Sequence, residues 1–404
     1  MRILVLNQYF FPDRSATSQL LTELCEDLSE HHDIYVVTGR PSYDPGQHAG
    51  SRGLVSKERV GRVRVARVWS TTFHRSNMAG RIANYGTYLL SSLAGALSVP
   101  KPDVVLALTD PPPIGQIGSW VASLRRVPFV WVVQDIFPEI SVQLGMLRNR
   151  RLVRVLRAFT RNVLRSADRV VSIGPMMDRR LVGMGVGADR IARICNWADG
   201  NAVHPLQGPS LLRAEQGWQD RFVVMHSGNV GLSQDLDVLL DTAALLSDER
   251  DIVVAIVGEG ASKAGLQARV AREGLDNVRF LPYQEKSSLS QSLGAADLHI
   301  VSLRDGLAGY IVPSKVYGIL AAGKPYVTAV EAGAEPHAIA EEFDCGIRVE
   351  PGDAEALAKA IRIMRHEADL EGMGIRARRA LEQRFERRQS SAAYRELLED
   401  VGAR

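Results

Sequence analysis

The chain has 404 residues, of which 46% are hydrophobic and 24% are charged, and its formal net charge is +3. These values are ordinary for a globular protein, and the length favours two domains over one core. Three cysteines, far apart and odd in number, argue against a disulfide framework or a cysteine-rich metal site and favour a reducing compartment.

The distribution of apolar and charged residues predicts where the protein works. The apolar run at residues 3–6 is too short for a signal peptide, and the stretch at 85–99 is too short to cross a bilayer. We therefore expect a cytoplasmic protein. The net charge is +10 for residues 1–200 and −7 for residues 201–404, which suggests that the first half meets an anionic partner.

The first half alternates between β-rich runs and helical patterns. Strands are predicted at 3–6, 34–38, 63–68, 103–108, 128–133, 169–173 and 190–194, with helices at 17–30 and 151–166 among them. This alternation predicts a parallel sheet covered by helices on both faces. The pattern stops at the Pro/Gly stretch 204–209, which we interpret as a linker.

The same alternation then begins again. Strands are predicted at 222–225, 252–257, 278–281, 298–301 and 326–329, and helices at 234–247, 261–273, 286–295 and 313–322. The tail is helical by its period. We predict an α/β protein with two Rossmann-like domains, 1–203 and 204–385, that face each other across a cleft. The last segment, 386–404, is predicted to form a helix that packs back on the first domain.

Loops that follow strands of the second domain carry the strongest signals for a ligand. They contain the segment HSGNVGL at 226–232, the segment GEG at 258–260, Tyr283 and Arg304. Glycines let the backbone approach a ligand closely, Tyr283 offers a surface for a nucleobase, and Arg304 offers positive charge. Together these loops predict a pocket for a nucleotide diphosphate in the second domain.

The segment VPSKVYGILAAGKP at 312–325 follows the loop of Arg304. Pro313 suits the first turn of a helix, and Ser314 and Lys315 would lie on that turn beside free N–H groups. A helix start of this kind predicts an anion site, which a lysine and a hydroxyl strengthen for phosphate. The alternative is an ordinary helix that joins two strands.

Other polar residues give weaker signals. Asp135 follows the predicted strand at 128–133 and could bind an acceptor hydroxyl, steady a developing positive charge, or simply cap the next helix. Asp110 is more typical of a turn. Asp235 and Asp237 fall on a predicted helix, where residues two apart point in different directions, so we expect no metal site. His226 lies beside the predicted ligand, but core packing explains it equally well.

Residues 148–169 carry the strongest surface feature, an arginine row at steps of three and four residues along one helical face: Arg150, Arg154, Arg157, Arg161 and Arg165. A solvated face over a buried stripe would give the same pattern. A row this long without balancing acids nevertheless favours phosphate or anionic lipid. Nucleic acid is not expected, because no recognised nucleic-acid module accompanies the row.

The ordered motifs along the chain resemble a known enzyme family. They are NQYFFP (7–12), TGRPSYDPG (38–46), TDPPP (109–113), QDIFPE (134–139), SADRVVSIG (166–174), CNWAD (195–199), HSGNVGLSQ (226–234), GEG (258–260) and the segment 312–325. In this order and spacing the chain resembles the bacterial family-four glycosyltransferases of the GT-B fold, in the branch that builds surface polysaccharides. The resemblance implies a retaining transferase without an obligatory metal, with the donor on the second domain and the acceptor on the first.

The chain departs from the wider family at several positions, among them the first loop of the first domain, where residues 14–17 (RSAT) replace a common glycine pair. Two glutamates that precede the Ala-Ala-Gly in the family are replaced by Tyr310 and Gly318, and the basic pair on the first loop of the second domain by Asn229 and Gln234. Lys315 and Arg304 could supply the missing charge beside the leaving diphosphate. The candidate catalytic residues are Asp135, Lys315 and Arg304. The candidate donor-binding residues are Ser227, Gly228, Asn229, Gly258, Gly260, Tyr283, Tyr310, Ser314 and Lys315.

We expect transfer of a sugar, an N-acetylated hexosamine or a related one, from a UDP-linked donor to a lipid-linked or saccharide acceptor in polysaccharide or lipopolysaccharide assembly. The nucleotide sugar is a substrate, and no separate cofactor is expected. The arginine row would hold the protein at the inner face of the membrane. Two alternatives stay open: a sugar-nucleotide epimerase of the same fold, and a non-catalytic sugar-nucleotide-binding protein, with which the missing glutamates are compatible.

Overall fold

The computed structural model describes residues 1–13, 15–41, 53–71, 73 and 78–403. The motif at 38–46 therefore lies largely outside the described residues. The chain divides into two compact units. The first contains residues 1–195 and 388–404, and the second contains residues 196–387. Within the described ranges, no helix combines the length and apolar character needed to cross a membrane.

The first unit is built on an eight-stranded sheet with the order β3-β4-β2-β1-β5-β6-β7-β8. The strands are β1 (Arg2–Leu6), β2 (Asp33–Thr38), β3 (Val55–Val60), β4 (Val63–Val68), β5 (Val104–Ala107), β6 (Phe129–Val132), β7 (Arg169–Ser172) and β8 (Ile191–Arg193). All neighbours are parallel except β3 and β4. Apolar residues fill the central strands because helices cover both faces of a sheet of this type.

Helices of the first unit alternate with these strands. They are α1 (Ala16–Leu28), α2 (Met78–Leu97), α3 (Ile114–Arg125), α4 (Glu139–Gln143), α5 (Arg150–Ser166) and α6 (Pro175–Gly183), followed much later in the chain by α15 (Arg387–Gly402). The helix α5 begins after Asn149, whose side chain accepts hydrogen bonds from the N–H groups of Arg151 and Leu152.

The second unit contains a six-stranded, fully parallel sheet with the order β11-β10-β9-β12-β13-β14. Its strands are β9 (Phe222–Ser227), β10 (Ile252–Val257), β11 (Val278–Leu281), β12 (Leu298–Ser302), β13 (Tyr326–Ala329) and β14 (Gly346–Val349). All six residues of β10 are buried, so this strand shows no polar alternation. Two successive parallel sheets with covering helices confirm the predicted fold class.

The helices of the second unit are α7 (Leu211–Glu215), α8 (Asp237–Leu245), α9 (Lys263–Glu273), α10 (Leu289–Gly294), α11 (Lys315–Ala321), α12 (Glu335–Phe343), α13 (Ala354–His366) and α14 (Leu370–Ala380). A core on one face of the sheet joins β9, β10 and β12 to α8 and α13 through buried aliphatic residues such as Leu240, Ile256 and Ile361.

The unit boundary differs from the predicted linker at 204–209. The division falls at 195/196, and the Pro/Gly stretch belongs to the second unit. His204 donates its N–H to Ser290 of α10, and Leu206 packs against Gly294 of the same helix. The stretch is largely exposed, and these two contacts attach it to the second unit.

The C-terminal helix belongs to the first unit from residue 388 onward. Ser391 of α15 donates to Asp27 of α1 over 2.5 Å, and Glu399 lies 3.1 Å from His32. Leu398 and Val401 are buried among the residues of this unit. The chain therefore returns to its first unit after completing the second.

Two strands escaped prediction, and one important helix begins later than expected. The strand β3 has the half-charged sequence VSKERV and lies at an antiparallel edge, where burial is low. The strand β14 is short and lies at an edge of the second sheet. The helix predicted from residue 313 begins at Lys315, so Pro313 precedes it, and Ser314 occupies the N-cap without a side-chain cap hydrogen bond.

Candidate functional site

The central strands of the second sheet create a topological switch point. The chain runs from β9 outward through β10 and β11, then returns to place β12 on the other side of β9. The loops that leave β9 and β12 therefore diverge at the carboxyl end of the sheet, which is where ligands bind in open α/β sheets. The predicted segments around Ser227 and Arg304 follow these two strands.

Backbone hydrogen bonds hold three neighbouring loops at this edge in one layer. Gly228 donates to the carbonyl of Val257, and Gly258 donates to that of Leu281. Val230 donates to the carbonyl of Glu259. The loops after β9, β10 and β11 thus form a continuous surface made largely of backbone.

Two of the predicted glycines are required by this close approach. A Cβ atom at Gly258 would overlap the carbonyl of Gly228, and one at Gly260 would overlap the carbonyl of Val230. The φ angle of Gly258 is +137°, a region that L side chains rarely adopt. These glycines serve the packing of loop against loop, which the sequence alone could not distinguish from a direct approach to a ligand.

Lys263 fastens the same layer and was not anticipated. Its Nζ lies 2.8 Å from the carbonyl oxygen of Gly258, 3.3 Å from that of Leu281 and 2.6 Å from Oε1 of Glu259. All three of these oxygens accept from the ammonium, so Lys263 is occupied within the loops. A lysine at the first residue of a helix gives no sequence signal for such a role.

Lys315 lies beside the loop that follows β9. Its Nζ is 3.2 Å from Nδ1 and 3.0 Å from Nε2 of His226, and its Cε lies 3.4 Å from the position a Cβ would take at Gly228. Within the described part of the chain no carboxylate comes within 4 Å of this ammonium. The predicted cation is therefore placed against the predicted glycine loop and is not paired with a carboxylate there.

Burial governs the protonation of this pair. Loss of solvation lowers the pKa of Lys315 to about 7. Burial, and secondarily the Lys315 charge, hold the pKa of His226 well below its usual value, so the imidazole is neutral at physiological pH. An anion brought next to Lys315 would favour its charged form, because opposite charges stabilise each other where solvent is excluded.

The remaining candidate residues of this unit lie around the same loops. Arg304 is exposed and donates its N–H to the carbonyl of Ser233 in the loop after β9, while Tyr283, after β11, is 39% exposed. Tyr310 is half-buried in the loop before α11. In that loop the N–H of Ala308 donates to Glu331, which follows β13 and was not anticipated.

The two residues that replace the basic pair of the wider family have different surroundings. Asn229 is exposed, whereas Gln234 is buried and its Oε1 accepts the N–H of Gly231. Gln234 also accepts a hydrogen bond from Ser302 through its carbonyl. Gln234 thus fixes the loop after β9 to β12, and neither residue brings charge to the site.

The prediction that Asp235 and Asp237 share a helix is wrong. Asp235 precedes α8 in a left-handed conformation, with φ at 49°, and only Asp237 is helical. Asp237 and Asp241 both pair with Arg269 of α9. Among the described residues, no three histidine, cysteine or carboxylate side chains are grouped as metal ligands.

In the first unit, Asp135 follows β6 and Asp110 follows β5, the neighbouring strand. Asp135 lines a small pocket together with Thr109, Trp131 and Thr160. Burial, and secondarily the charge of Asp110, raise the pKa of Asp135 to about 7. Asp110 therefore contributes electrostatically, although the sequence alone favoured a turn residue.

The arginine row on α5 is largely exposed but is balanced at one point. Arg150, Arg154, Arg161 and Arg165 are exposed and have no acidic partner among the described residues. Arg157 instead forms a two-pronged ion pair with Glu139 of α4, at 2.7 and 2.8 Å. The expectation of a row without balancing acids is wrong at Arg157, because Glu139 is close in space though 18 residues away in sequence.

Comparison with known proteins identifies the family. The family model described as "Glycosyl transferase 4-like domain" matches residues 16–197, and "Glycosyl transferases group 1" matches residues 210–380. The glycosyltransferase WbjE of Pseudomonas aeruginosa is 31% identical over 290 residues, which cover 70% of this chain and 71% of WbjE. The chain belongs to the bacterial family-four GT-B glycosyltransferases.

A second relative of this glycosyltransferase has a name from the same branch. The colanic acid biosynthesis glycosyl transferase WcaI of Escherichia coli K12 is 27% identical over 375 residues, covering 90% of this chain and 91% of WcaI. Among solved structures, Anabaena HepE in complex with UDP and glucose matches with a TM-score of 0.75. At 19% identity, covering 99% of this chain and all of HepE, that match shows the shared fold.

Proposed function

We propose that this glycosyltransferase moves a sugar, with retention, from a UDP-linked donor to a lipid-linked or saccharide acceptor in surface-polysaccharide assembly. The single observation that carries the donor site is the ammonium of Lys315 beside the Gly228 loop, with no carboxylate partner among the described residues. Such a cation suits the diphosphate of a nucleotide sugar. The complexes of HepE with UDP and with UDP-glucose support the choice of nucleotide.

The donor site would be made of the candidate residues on the loops of the second sheet. Lys315 and the exposed Arg304 would face the phosphates. Gly228 and Ser227 lie at the end of β9, where backbone could follow the diphosphate, and the exposed ring of Tyr283 could lie against the base. Charge grows on the departing UDP, so these cations help the transition state more than the bound donor.

On the acceptor side we assign Asp135. In its ionised form the carboxylate would accept a hydrogen bond from the acceptor hydroxyl or stabilise the positive charge that develops on the sugar ring. In the reaction a bond forms between the acceptor oxygen and the anomeric carbon. The bond from that carbon to the β-phosphate oxygen breaks, and its electron pair leaves with UDP. The proton of the acceptor hydroxyl passes to the Asp135 carboxylate in the first of these roles and to the departing phosphate oxygen in the second.

We further propose that α5 holds the enzyme at an anionic membrane. Its exposed arginines are accompanied by apolar residues that also face solvent, Leu152 at 45% and Val155 at 64% exposure. Met146, just before the helix, is 45% exposed. Basic and apolar side chains on the outer surface of one helix are typical of segments that lie in the membrane interface.

The proposal is tested by turnover with a panel of UDP-, GDP- and dTDP-sugars, including UDP-linked N-acetylhexosamines, with and without a lipid-linked acceptor. Release of UDP that depends on acceptor supports a transferase, and retained anomeric configuration in the product supports the stereochemistry. Conversion of the donor to an epimer without acceptor would instead favour a sugar-nucleotide epimerase. Binding without turnover would favour a non-catalytic protein, as the replacement of two glutamates by Tyr310 and Gly318 allows.

A further inference from the structure

His226 occupies an unusual place for a fully buried imidazole. It lies on β9 at the carboxyl end of the second sheet, and its ring nitrogens contact both Lys315 and the loop after β9. Its Nε2 is 3.3 Å from the carbonyl oxygen of Asn229. Sequence reasoning treated core packing and ligand contact as equal explanations, and the contacts show a link between two parts of the proposed donor site.

The hydrogen-bond chemistry of this link selects one tautomer. A carbonyl oxygen can only accept, so the contact with Asn229 requires a proton on Nε2. In the neutral ring Nδ1 then carries the lone pair. Nζ of Lys315 lies 3.2 Å from Nδ1 and 3.0 Å from Nε2, so the ammonium is in contact with both ring nitrogens, and Nδ1 is the one able to accept from it.

We propose that His226 is a positioning residue for glycosyl transfer: it fixes the Lys315 ammonium against the loop after β9, where the donor's diphosphate binds. This inference rests on the proposed donor site. It differs from a role in catalysis, since His226 itself is buried and contacts the lysine and the loop. Without the imidazole, Lys315 would lose its hydrogen-bond acceptor and the Asn229 carbonyl would lose its donor.

The surroundings support a positioning role over an acid–base role. Burial and the Lys315 charge both oppose protonation of His226. The next titratable group is His299 on β12, which is also buried with a lowered pKa and whose Nε2 lies 3.0 Å from the carbonyl oxygen of Leu293. The charges of Lys324, which precedes β13, and of Lys315 also lower the pKa of His299. These neighbours keep the His226 ring neutral, so it is suited to accept from the ammonium.

A double-mutant cycle on the full-length protein tests the inference. UDP affinity is measured by calorimetry for the wild type, His226→Leu, Lys315→Met and the double variant. When Lys315 is present, we expect His226→Leu to weaken UDP binding about tenfold, the effect of losing one hydrogen bond to a charged group. In the Lys315→Met background the same substitution should weaken binding by less than about twofold. His226→Gln, which keeps an acceptor and a donor, should recover most of the affinity.

His299→Leu is the matched control, because it removes another buried imidazole from the adjacent strand. Any loss of affinity it causes should be the same with Lys315 or Met at position 315. Equal losses for His226→Leu in both backgrounds, or no loss, would overturn the positioning role. A wild-type protein that does not bind UDP would instead overturn the proposed donor.

Histidine ¹⁵N spectra of the wild type provide a second measurement that does not require the leucine variant to fold. The His226 ring should show a protonated Nε2 and an unprotonated Nδ1 whose resonance shifts in Lys315→Met. The opposite tautomer, or an Nδ1 resonance that Lys315→Met leaves unchanged, would contradict the inference even if UDP binds.

Discussion

At the scale of single residues, Lys315 concentrates the electrostatics of the proposed donor site. We expect Lys315→Ala to lower kcat/KM by about a hundredfold or more, the effect of removing one preorganised electrostatic group. Lys315→Arg should recover only part, since the guanidinium fork does not fit where an ammonium does. Steady-state rates with a UDP-sugar measure both effects. Lys324→Ala is the control, because it removes a half-buried lysine that follows the C-terminal end of α11.

The same lysine should leave a signature in the pH dependence of stability. Because its pKa is lowered to about 7 in the folded protein, the unfolded chain binds more protons between about pH 7 and 10. The cost of burying Lys315 is therefore complete below pH 7 and is relieved as the pH rises. Denaturant unfolding should show Lys315→Met gaining most over the wild type at or below pH 7, with the gain shrinking toward pH 10. A gain independent of pH would show that the lysine is not deprotonated on folding.

Asp135 leads to a prediction about the pH dependence of the reaction rate. Its pKa is raised to about 7, so ionisation of Asp135 should give kcat/KM an acidic limb near that pH, while deprotonation of Lys315, whose pKa is also about 7 in the free protein, should give a basic limb and a bell-shaped profile. Asp135→Asn should lower kcat/KM by about a hundredfold or more. Asp110→Asn should move the acidic limb to lower pH, because the charge of Asp110 raises the pKa of Asp135. An acidic limb that stays in place would show that Asp135 does not set it.

At the scale of the elements, the close packing of the glycine loops should make the stability of the protein sensitive to a side chain at Gly258. Gly258→Ala should destabilise the protein by more than about 2 kcal/mol, since its Cβ would meet the Gly228 carbonyl and its backbone lies at positive φ. Gly265→Ala is the matched change within α9, where a Cβ meets open space, and should stabilise by about 0.5–1 kcal/mol. Thermal unfolding of both variants tests the contrast, and a tolerated Gly258→Ala would contradict the tight layering of the loops.

The helix α5 provides a second prediction at this scale. Replacing Arg154, Arg161 and Arg165 by Gln should weaken binding to vesicles containing acidic phospholipid, and added salt should weaken the wild type similarly. Arg157→Gln should add little, because its charge is already paired with Glu139. Vesicle co-sedimentation measures the effect. The control removes the same charge from three exposed arginines elsewhere, Arg62, Arg250 and Arg379; equal losses in both sets would mean that net charge alone controls binding.

At the scale of the whole molecule, nucleotide binding is expected to stabilise the second unit without a divalent metal. Hydrogen exchange of the full chain with UDP and EDTA should show protection concentrated in residues 226–234, 258–262 and 304–316, with the sheet of the first unit little changed. Turnover should also persist in EDTA, since Lys315 and Arg304 are expected to offset the diphosphate. Protection that appears only with magnesium or manganese, or turnover that only those ions restore, would contradict this prediction.

The sequence by itself determined the fold class and much of the element order. Buried strands such as Ile252–Val257 lie in parallel sheets and are apolar throughout, so their pattern is visible without contacts. The ordered motifs identified the family, and the comparisons confirm it. Lys315 could be singled out because it is a cation at the predicted start of a helix whose following residues are largely apolar.

Tertiary structure decided what the local pattern could not express. Glu139 neutralises Arg157, His226 contacts Lys315 from 89 residues away, and Asp110 acts on Asp135 from a neighbouring strand. Each is a pairing between side chains on different elements, and no periodicity along one segment encodes it. The protonation of Lys315 and Asp135 follows from burial, which depends on the packing of the completed fold.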